Sequence, residues 1–316
     1  MGHVAELHTA LSTQAARLVV GQAEPLRLIL IALTCEGHIL LEGVPGLAKT
    51  TLARCVALSL GLASRRVQFT PDLMPSDILG TQVFSFQEGS FRLVEGPVFT
   101  NLLIADEINR SPAKTQSALL EAMQERQVSL DGTPRPLPRP FMVIATQNPI
   151  EHEGTYRLPE AQLDRFLFLV RLDYPSAEEE TRMLAQHRGD SAGQSELFAT
   201  LERIAGAEEL AAARREVLAV RVDDGIVSYI VELVRRTREH PQLELGASPR
   251  ATLYLQVAAR AAAALEGRDY VVPDDVKGML VPLLRHRVRL TTTAEVEGAQ
   301  IPELLRGIAD GVAVPR

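Results

Sequence analysis

Apolar residues recur at helical spacing over residues 3–17, where Val4, Leu7, Leu11, Ala15 and Leu18 fall on one face. Gly21 interrupts the pattern, and a second helical run follows over 22–35, with Pro25 tolerated in its first turn. Gly37 ends that run. Residues 38–42 are a short apolar stretch leading into a Gly/Pro cluster, which predicts a buried strand running into a loop. Residues 49–60 read as helix and 66–69 as strand. Over 72–79 the pattern allows one or two helical turns, and 83–86 with 91–93 read as the arms of a β-hairpin. Residues 101–105 form another buried strand, ending in Asp106-Glu107. Ser111 as N-cap and Pro112 at the first helical position open a helix to about residue 126. A second hairpin over 127–140 turns at Asp131-Gly132, and strands follow at 141–146 and 166–170.

Strand and helix therefore alternate over the first 170 or so residues, which predicts a parallel sheet with helices on both faces. After Tyr174-Pro175 the strand signal fades, and helical runs cover 177–187, 195–205, 223–239, 249–265 and 273–285. The expected organisation is an α/β domain at 1–174, with inserted hairpins at about 71–96 and 127–140, and an all-helical domain at 175–316. The chain has 316 residues, 46 % hydrophobic and 23 % charged, which fits a globular protein of about two domains. Its net charge of −7 argues against non-specific coating of nucleic acid. Aromatics at 4 % with no Trp argue against a base-stacking platform. Cys35 and Cys55 sit among apolar residues and read as buried small hydrophobes. No apolar run is long enough to span a membrane and the first residues lack a secretory pattern, so the expected location is cytoplasmic.

Three strand ends carry candidate chemistry. Gly43-Val44-Pro45-Gly46-Leu47-Ala48-Lys49-Thr50 lies between a strand and a helix. Glycines let successive backbone N–H groups curl around phosphate, the helix N-terminus points at it, Lys49 reaches the outer phosphates, and Thr50 offers a hydroxyl to Mg²⁺. Ala48 replaces the last glycine of G-x-x-x-x-G-K-[ST], at a position expected to have ordinary helical angles. Asp106 and Glu107 end a buried strand on the side where open α/β sheets bind ligands. Asp106 is placed to hold Mg²⁺ and Glu107 to orient or deprotonate an attacking water. Asn148 ends a third strand, and its amide is suited to bridge a γ-phosphate and that water. The Asp77-Ile78-Leu79-Gly80 match to D-x-x-G has no guanine-reading N-K-x-D beside it. Glu151-His152-Glu153 reads as a solvated loop rather than a metal cluster, and the basic run over 285–289 reads as a solvated face or a partner contact.

The order of phosphate loop, Asp-Glu strand, Asn strand and trailing helices resembles the AAA+ ATPases, and the two inserted hairpins resemble their helix-2-insert branch. Within it, GVPGLAKT, LLIADEINR, ATQNP, GTYRLPEAQLDRF and LGASPRA together resemble the MoxR family, over nearly the whole chain. The resemblance implies ATP and Mg²⁺ as cofactors. It implies that Val20, Gly21 and Gln22 lie at the adenine, and that Gly43 to Thr51 wrap the phosphates. Arg250 would be a sensor reaching from the helical lid to the nucleotide of its own chain. Arg165 would be an arginine finger acting on a neighbouring subunit's ATP, with Arg157 and Arg110 as competitors for that role.

The implied protein is an oligomeric ring, a hexamer, that couples ATP hydrolysis to remodelling, assembly or activation of a protein complex. Metalloenzyme maturation with a von Willebrand factor A domain partner is one form of that work. Two alternatives stand beside it. One is a DNA- or RNA-processing motor, for which the mixed charge on the hairpins and the net charge are poorly suited. The other is a nucleotide-gated scaffold with little turnover, which the filled catalytic positions disfavour.

Overall fold

The computed structural model describes residues 2–87, 89–130, 132–149, 156–186 and 198–315. Five parallel strands make the central sheet: β1 (Ile39–Glu42), β2 (Ser64–Gln68), β5 (Leu102–Asp106), β8 (Met142–Gln147) and β9 (Phe168–Arg171), in the order β2-β5-β8-β1-β9. Three of them are buried along their whole length except for Gln147 at the end of β8, as the continuous apolar runs required. Side chains alternate between two apolar clusters with period two. Ile39, Leu41, Leu102, Ile104, Met142 and Ile144 join one, while Leu40, Leu103, Ala105, Val143 and Ala145 join the other.

The first cluster is covered by α1 (His3–Ala15), α2 (Ala23–Thr34) and α3 (Lys49–Ser59). It continues without a break into the C-terminal helices. The second is covered by α4 (Pro75–Leu79) and α5 (Ala113–Glu125) and by the bases of the hairpins. Those hairpins are β3 (Gly80–Ser85) with β4 (Ser90–Glu95), and β6 (Gln127–Leu130) with β7 (Thr133–Pro136). The turn between β6 and β7 comes where Asp131-Gly132 predicted it, and Gly132 has φ +76°, although Asp131 lies outside the described residues. A short helix, α6 (Glu160–Leu163), precedes β9.

Beyond β9 the chain forms α7 (Ala177–Gln186), α8 (Ala207–Ala219), α9 (Asp224–Glu239), α10 (Pro249–Leu265), α11 (Pro273–Leu284), α12 (Thr292–Val296) and α13 (Ile301–Gly311). Here the sequence reading needs correction. Of the helix expected over 195–205, residues 195–197 lie outside the described residues, 198–199 are helical, and 201–206 are irregular. A further helix that the sequence reading did not place follows as α8, where Gly206 is the N-cap and Glu209 accepts from the Gly206 N–H at 2.8 Å. Two short strands, β10 (Leu243–Leu245) and β11 (Arg289–Leu290), pair antiparallel among these helices. The α8 and α10 helices pack on both α1 and α2, so the helical region shares its core with the N-terminal helices. The basic run is also not a solvated face. His286 and Arg287 are buried under the sheet's entry to β9, and only Arg289, paired with Glu160 and Glu244, is exposed.

His38, at the start of β1, ties the sheet to α5. The Val143 N–H donates to His38 Nδ1 at 3.0 Å, which leaves Nε2–H to donate to the Met123 carbonyl at 3.1 Å. This holds the ring neutral, and burial pushes its pKa down to about 4. An unfolded chain takes up this proton near pH 6.5, so stability is lost as pH falls from 6.5 towards 4, by on the order of 3 kcal/mol. Calorimetry across that window should show a falling Tm in the native protein and a shallower fall in a His38→Gln variant. Parallel acid limbs would refute this role for His38.

Candidate nucleotide site

The phosphate loop leaves β1 at its C-terminal end and enters α3. Gly43 is required by packing, since a Cβ there would lie 2.8 Å from the Leu172 carbonyl. Gly46 is required by its backbone, with φ +88°. Leu47 is buried in the sheet core and anchors the loop. Val44 and Pro45 complete the curve, and Thr50 and Thr51 sit in the first turn of α3. Ala48 departs from expectation. Its φ of +55° and ψ of +23° are left-handed, not helical, at a cost of about 1 kcal/mol for a residue with a Cβ. The glycine usual at this position is therefore explained by the backbone, and this chain carries strain in its place. Lys49 Nζ donates to the carbonyls of Gly43 and Val44, across the mouth of the loop.

The loop meets the strand-end carboxylates through Thr50. Its Oγ1 lies 3.1 Å from each oxygen of Asp106, which is buried. Asp106 also accepts from Thr146 Oγ1 at 3.2 Å and from Arg66 Nε at 2.6 Å. A hydroxyl and a carboxylate fixed this closely beside a phosphate loop are a donor set suited to Mg²⁺, a hard cation that takes oxygen ligands and waters. Glu107 follows in a left-handed conformation, φ +57°, so its side chain turns out of the strand direction. Three contacts fix it. Its N–H donates to Thr146 Oγ1 at 3.0 Å, and its carboxylate accepts from Gln68 Nε2 at 2.6 Å and from Arg110 Nη1 at 3.1 Å. Asn148 is buried one position beyond β8, and β8 lies next to β5.

A cleft of about 420 Å³ opens beside the loop, lined by Val20, Gln22 and 45–48 on one side and by Tyr174, Met183 and Leu184 on the other. Gly21, with φ +78°, lies at its edge. The residues expected at the adenine and at the phosphates are thus brought together in one place. Sequence reasoning missed Arg66, Gln68, Thr146 and the α7 side of the cleft. The register of β2 on β5, with Gln68 opposite Asp106, is what brings the first two to the site, and strand order was not readable from local pattern.

The arginines lie elsewhere. Arg165 precedes β9, and Arg250 is in the first turn of α10. Both line a second cleft with Gly37, His38, Met123 and Leu253, at the N-terminal end of β1. The phosphate loop is at the other end of that strand, roughly 15 Å away at ~3.3 Å per residue. The structure thus places Arg250 at the end of the sheet away from its own chain's phosphate loop, not beside it as the sequence reading expected. Neither guanidinium has a hydrogen bond or ion pair to a described residue. Arg110 is engaged by Glu107, and Arg157 is exposed on the segment after Tyr156. Residues 150–155, with the Glu151-His152-Glu153 triplet, lie outside the described residues.

Comparison with known proteins agrees with this geometry. The family described as "ATPase family associated with various cellular activities (AAA)" matches residues 38–168, and an AAA lid domain matches 235–308. Chaperone MoxR1 of Mycobacterium tuberculosis is 43 % identical over all of this chain and 85 % of its own length. The uncharacterized protein YeaC of Bacillus subtilis is 47 % identical over 95 % of this chain and 92 % of its own. The crystal structure of a putative ATPase from Cytophaga hutchinsonii superposes with a TM-score of 0.89 at 39 % identity, covering 99 % of this chain and 97 % of the other. A phosphate loop, an Asp-Glu strand end and a helical lid, carried on a chain with these relatives, make this protein an ATPase of the MoxR family of AAA+ proteins.

Proposed function

We propose that the protein hydrolyses ATP with Mg²⁺ at a site completed by a neighbouring copy of the chain, in a ring of six, and uses the cycle to remodel protein complexes in the cytoplasm. One observation carries this reading. The phosphate loop and both carboxylates lie at one end of the sheet, while Arg165 and Arg250 lie at the other, without a hydrogen bond or ion pair among the described residues. Phosphoryl transfer needs positive charge on the transferring group, and a finger arginine supplies on the order of 10³-fold or more in rate. The chain's own Lys49 stands at the loop, but its Arg165 and Arg250 do not. A head-to-tail ring places the arginine end of each subunit against the loop end of the next.

In this arrangement Val20, Gly21 and Gln22 hold the adenine, while Gly43 to Thr51 and Lys49 hold the phosphates. Thr50 and Asp106 hold Mg²⁺, which would offset charge on the phosphate oxygens. Glu107 takes the proton of the attacking water, and Asn148 aligns that water with the γ-phosphate. Arg165 and Arg250 enter from the neighbour. The segment 1–174 acts as the nucleotide-binding unit and 175–316 as the lid. Gln68 and Arg110 donate to the Glu107 carboxylate and fix its direction.

The client-contacting element is the β3–β4 hairpin. It presents Phe86 and Phe91, 92 % and 69 % exposed, with Phe84 packed edge-on against both. Apolar rings held out on a two-stranded arm suit a protein surface more than a phosphate backbone. A von Willebrand factor A domain protein and a metalloenzyme complex are the partners the family resemblance favours.

A tagged Glu107→Gln chain loaded with ATP should bind nucleotide with near-native affinity, lose at least 100-fold in turnover, and retain a protein client in pull-downs that survives nuclease. Full turnover in that variant would refute the role of Glu107, and nucleic acid as the retained species would refute a protein client. Replacing Phe86 and Phe91 by Ser should abolish client retention and change the ATPase rate by less than twofold. Unchanged retention would remove the hairpin from the client path.

A further inference from the structure

Arg287 is the only buried lysine or arginine among the described residues. Its side chain is 1 % exposed, whereas every other ion-paired arginine is at least 23 % exposed. A buried guanidinium is costly unless its N–H groups are all matched, and an apolar residue of similar size is often as stable in such a place. What Arg287 grips is specific. Its Nε donates to Asp164 Oδ1 at 2.7 Å, Nη2 donates to the carbonyls of Asp164 at 3.0 Å and Phe166 at 2.5 Å, and Nη1 donates to the Leu167 carbonyl at 3.1 Å and to Leu283. These acceptors bracket Arg165 on both sides. His286 Nε2, 3.0 Å from the Phe166 carbonyl, adds to the same grip, and Tyr254 of α10 lies with its ring 5.2 Å from the guanidinium.

The grip extends to the second arginine. The other oxygen of Asp164 accepts from Ser248 Oγ at 3.2 Å. Ser248 is the N-cap of α10, and Arg250 is two residues further on. One charge from the end of α11 thus fixes the backbone on either side of Arg165 and, through Asp164, the start of the helix that presents Arg250.

We infer that Arg287 is the positioning residue for both interface arginines, and that the Arg287–Asp164–Ser248 chain sets their placement towards the neighbouring subunit's phosphates. The inference rests on the reading of Arg165 as a finger acting in trans. Lysine cannot replace this fork. It keeps the charge but offers one nitrogen where four carbonyls and a carboxylate need a planar array. A positioning role also explains why the lid and the finger segment belong together. Any displacement of α11 against the sheet is carried directly into the segment 164–167.

Complementation tests the inference. Arg165→Ala, Arg287→Lys, Asp164→Asn and Ser248→Ala chains are each measured alone and after mixing in equal amounts with Glu107→Gln, at low concentration before assembly. Alone, Arg287→Lys and Asp164→Asn should bind ATP within twofold of native affinity and lose at least tenfold in turnover, in the direction of Arg165→Ala. Mixed, each should recover to about a quarter of the native rate per chain, because one interface in four pairs an intact site with an intact finger. Ser248→Ala should show a smaller loss with the same recovery. Native turnover in both Arg287→Lys and Asp164→Asn would overturn the inference. So would a loss that mixing does not recover while Arg165→Ala is recovered, since that marks a defect in the chain's own site. Should Arg287→Lys fail to fold, Asp164→Asn, a near-isosteric change at a partly exposed residue, decides alone. If Arg165→Ala itself keeps full turnover or is not recovered, the trans reading fails, and this inference fails with it for a separately visible reason.

Discussion

The polarity of a parallel sheet governs this molecule. Every strand of the sheet enters at one end and leaves at the other, so loops leaving β1, β5 and β8 cluster together and segments entering β1 and β9 cluster at the opposite end. The phosphate loop, Asp106, Glu107 and Asn148 belong to the first group. Gly37, His38 and Arg165 belong to the second, and α10 adds Arg250 to it. No side chain spans a strand length, so the chain does not bring the phosphate loop and these two arginines together. The proposed ring rests on this geometry, since a second copy would join the two halves of the site.

The loop end carries strain where chemistry needs it. Ala48 and Glu107 are both left-handed without being glycine, at consecutive parts of the same site. Such conformations persist only where neighbours over-determine them. Thr146 supplies part of that constraint, since its hydroxyl accepts the Glu107 N–H while donating to Asp106. The arginine end is held differently, by one buried charge against a set of backbone carbonyls. One end is set by backbone conformation and the other by an ion pair, which leaves the arginine end sensitive to where the lid sits.

Much of this was legible in the sequence. Continuous apolar runs ending in Gly43, Asp106 and Asn148 announced buried parallel strands with ligand-facing ends. Gly and Pro placement marked both hairpins. Other features depend on contacts between distant segments, which local pattern does not encode. The basic run at 285–289 has the composition of a solvated face, and only the carbonyls of 164–167 reveal Arg287 as buried. Arg250 was read as a lid arginine directed at its own chain's nucleotide, whereas it lies at the end of the sheet away from the phosphate loop, a placement that depends on how α10 packs against α2 and α11. Arg66 and Gln68 reach the carboxylates through strand order. Ala48 was taken as helical because the helix boundary falls one residue later than the motif suggests.

The most direct test of a site shared between subunits is the ATPase rate per chain followed over protein concentration, with mass measured on the same samples by light scattering. The rate per chain should be near zero for the monomer and rise in step with the ring. A monomer that hydrolyses ATP as fast per chain as the assembled protein would contradict the account.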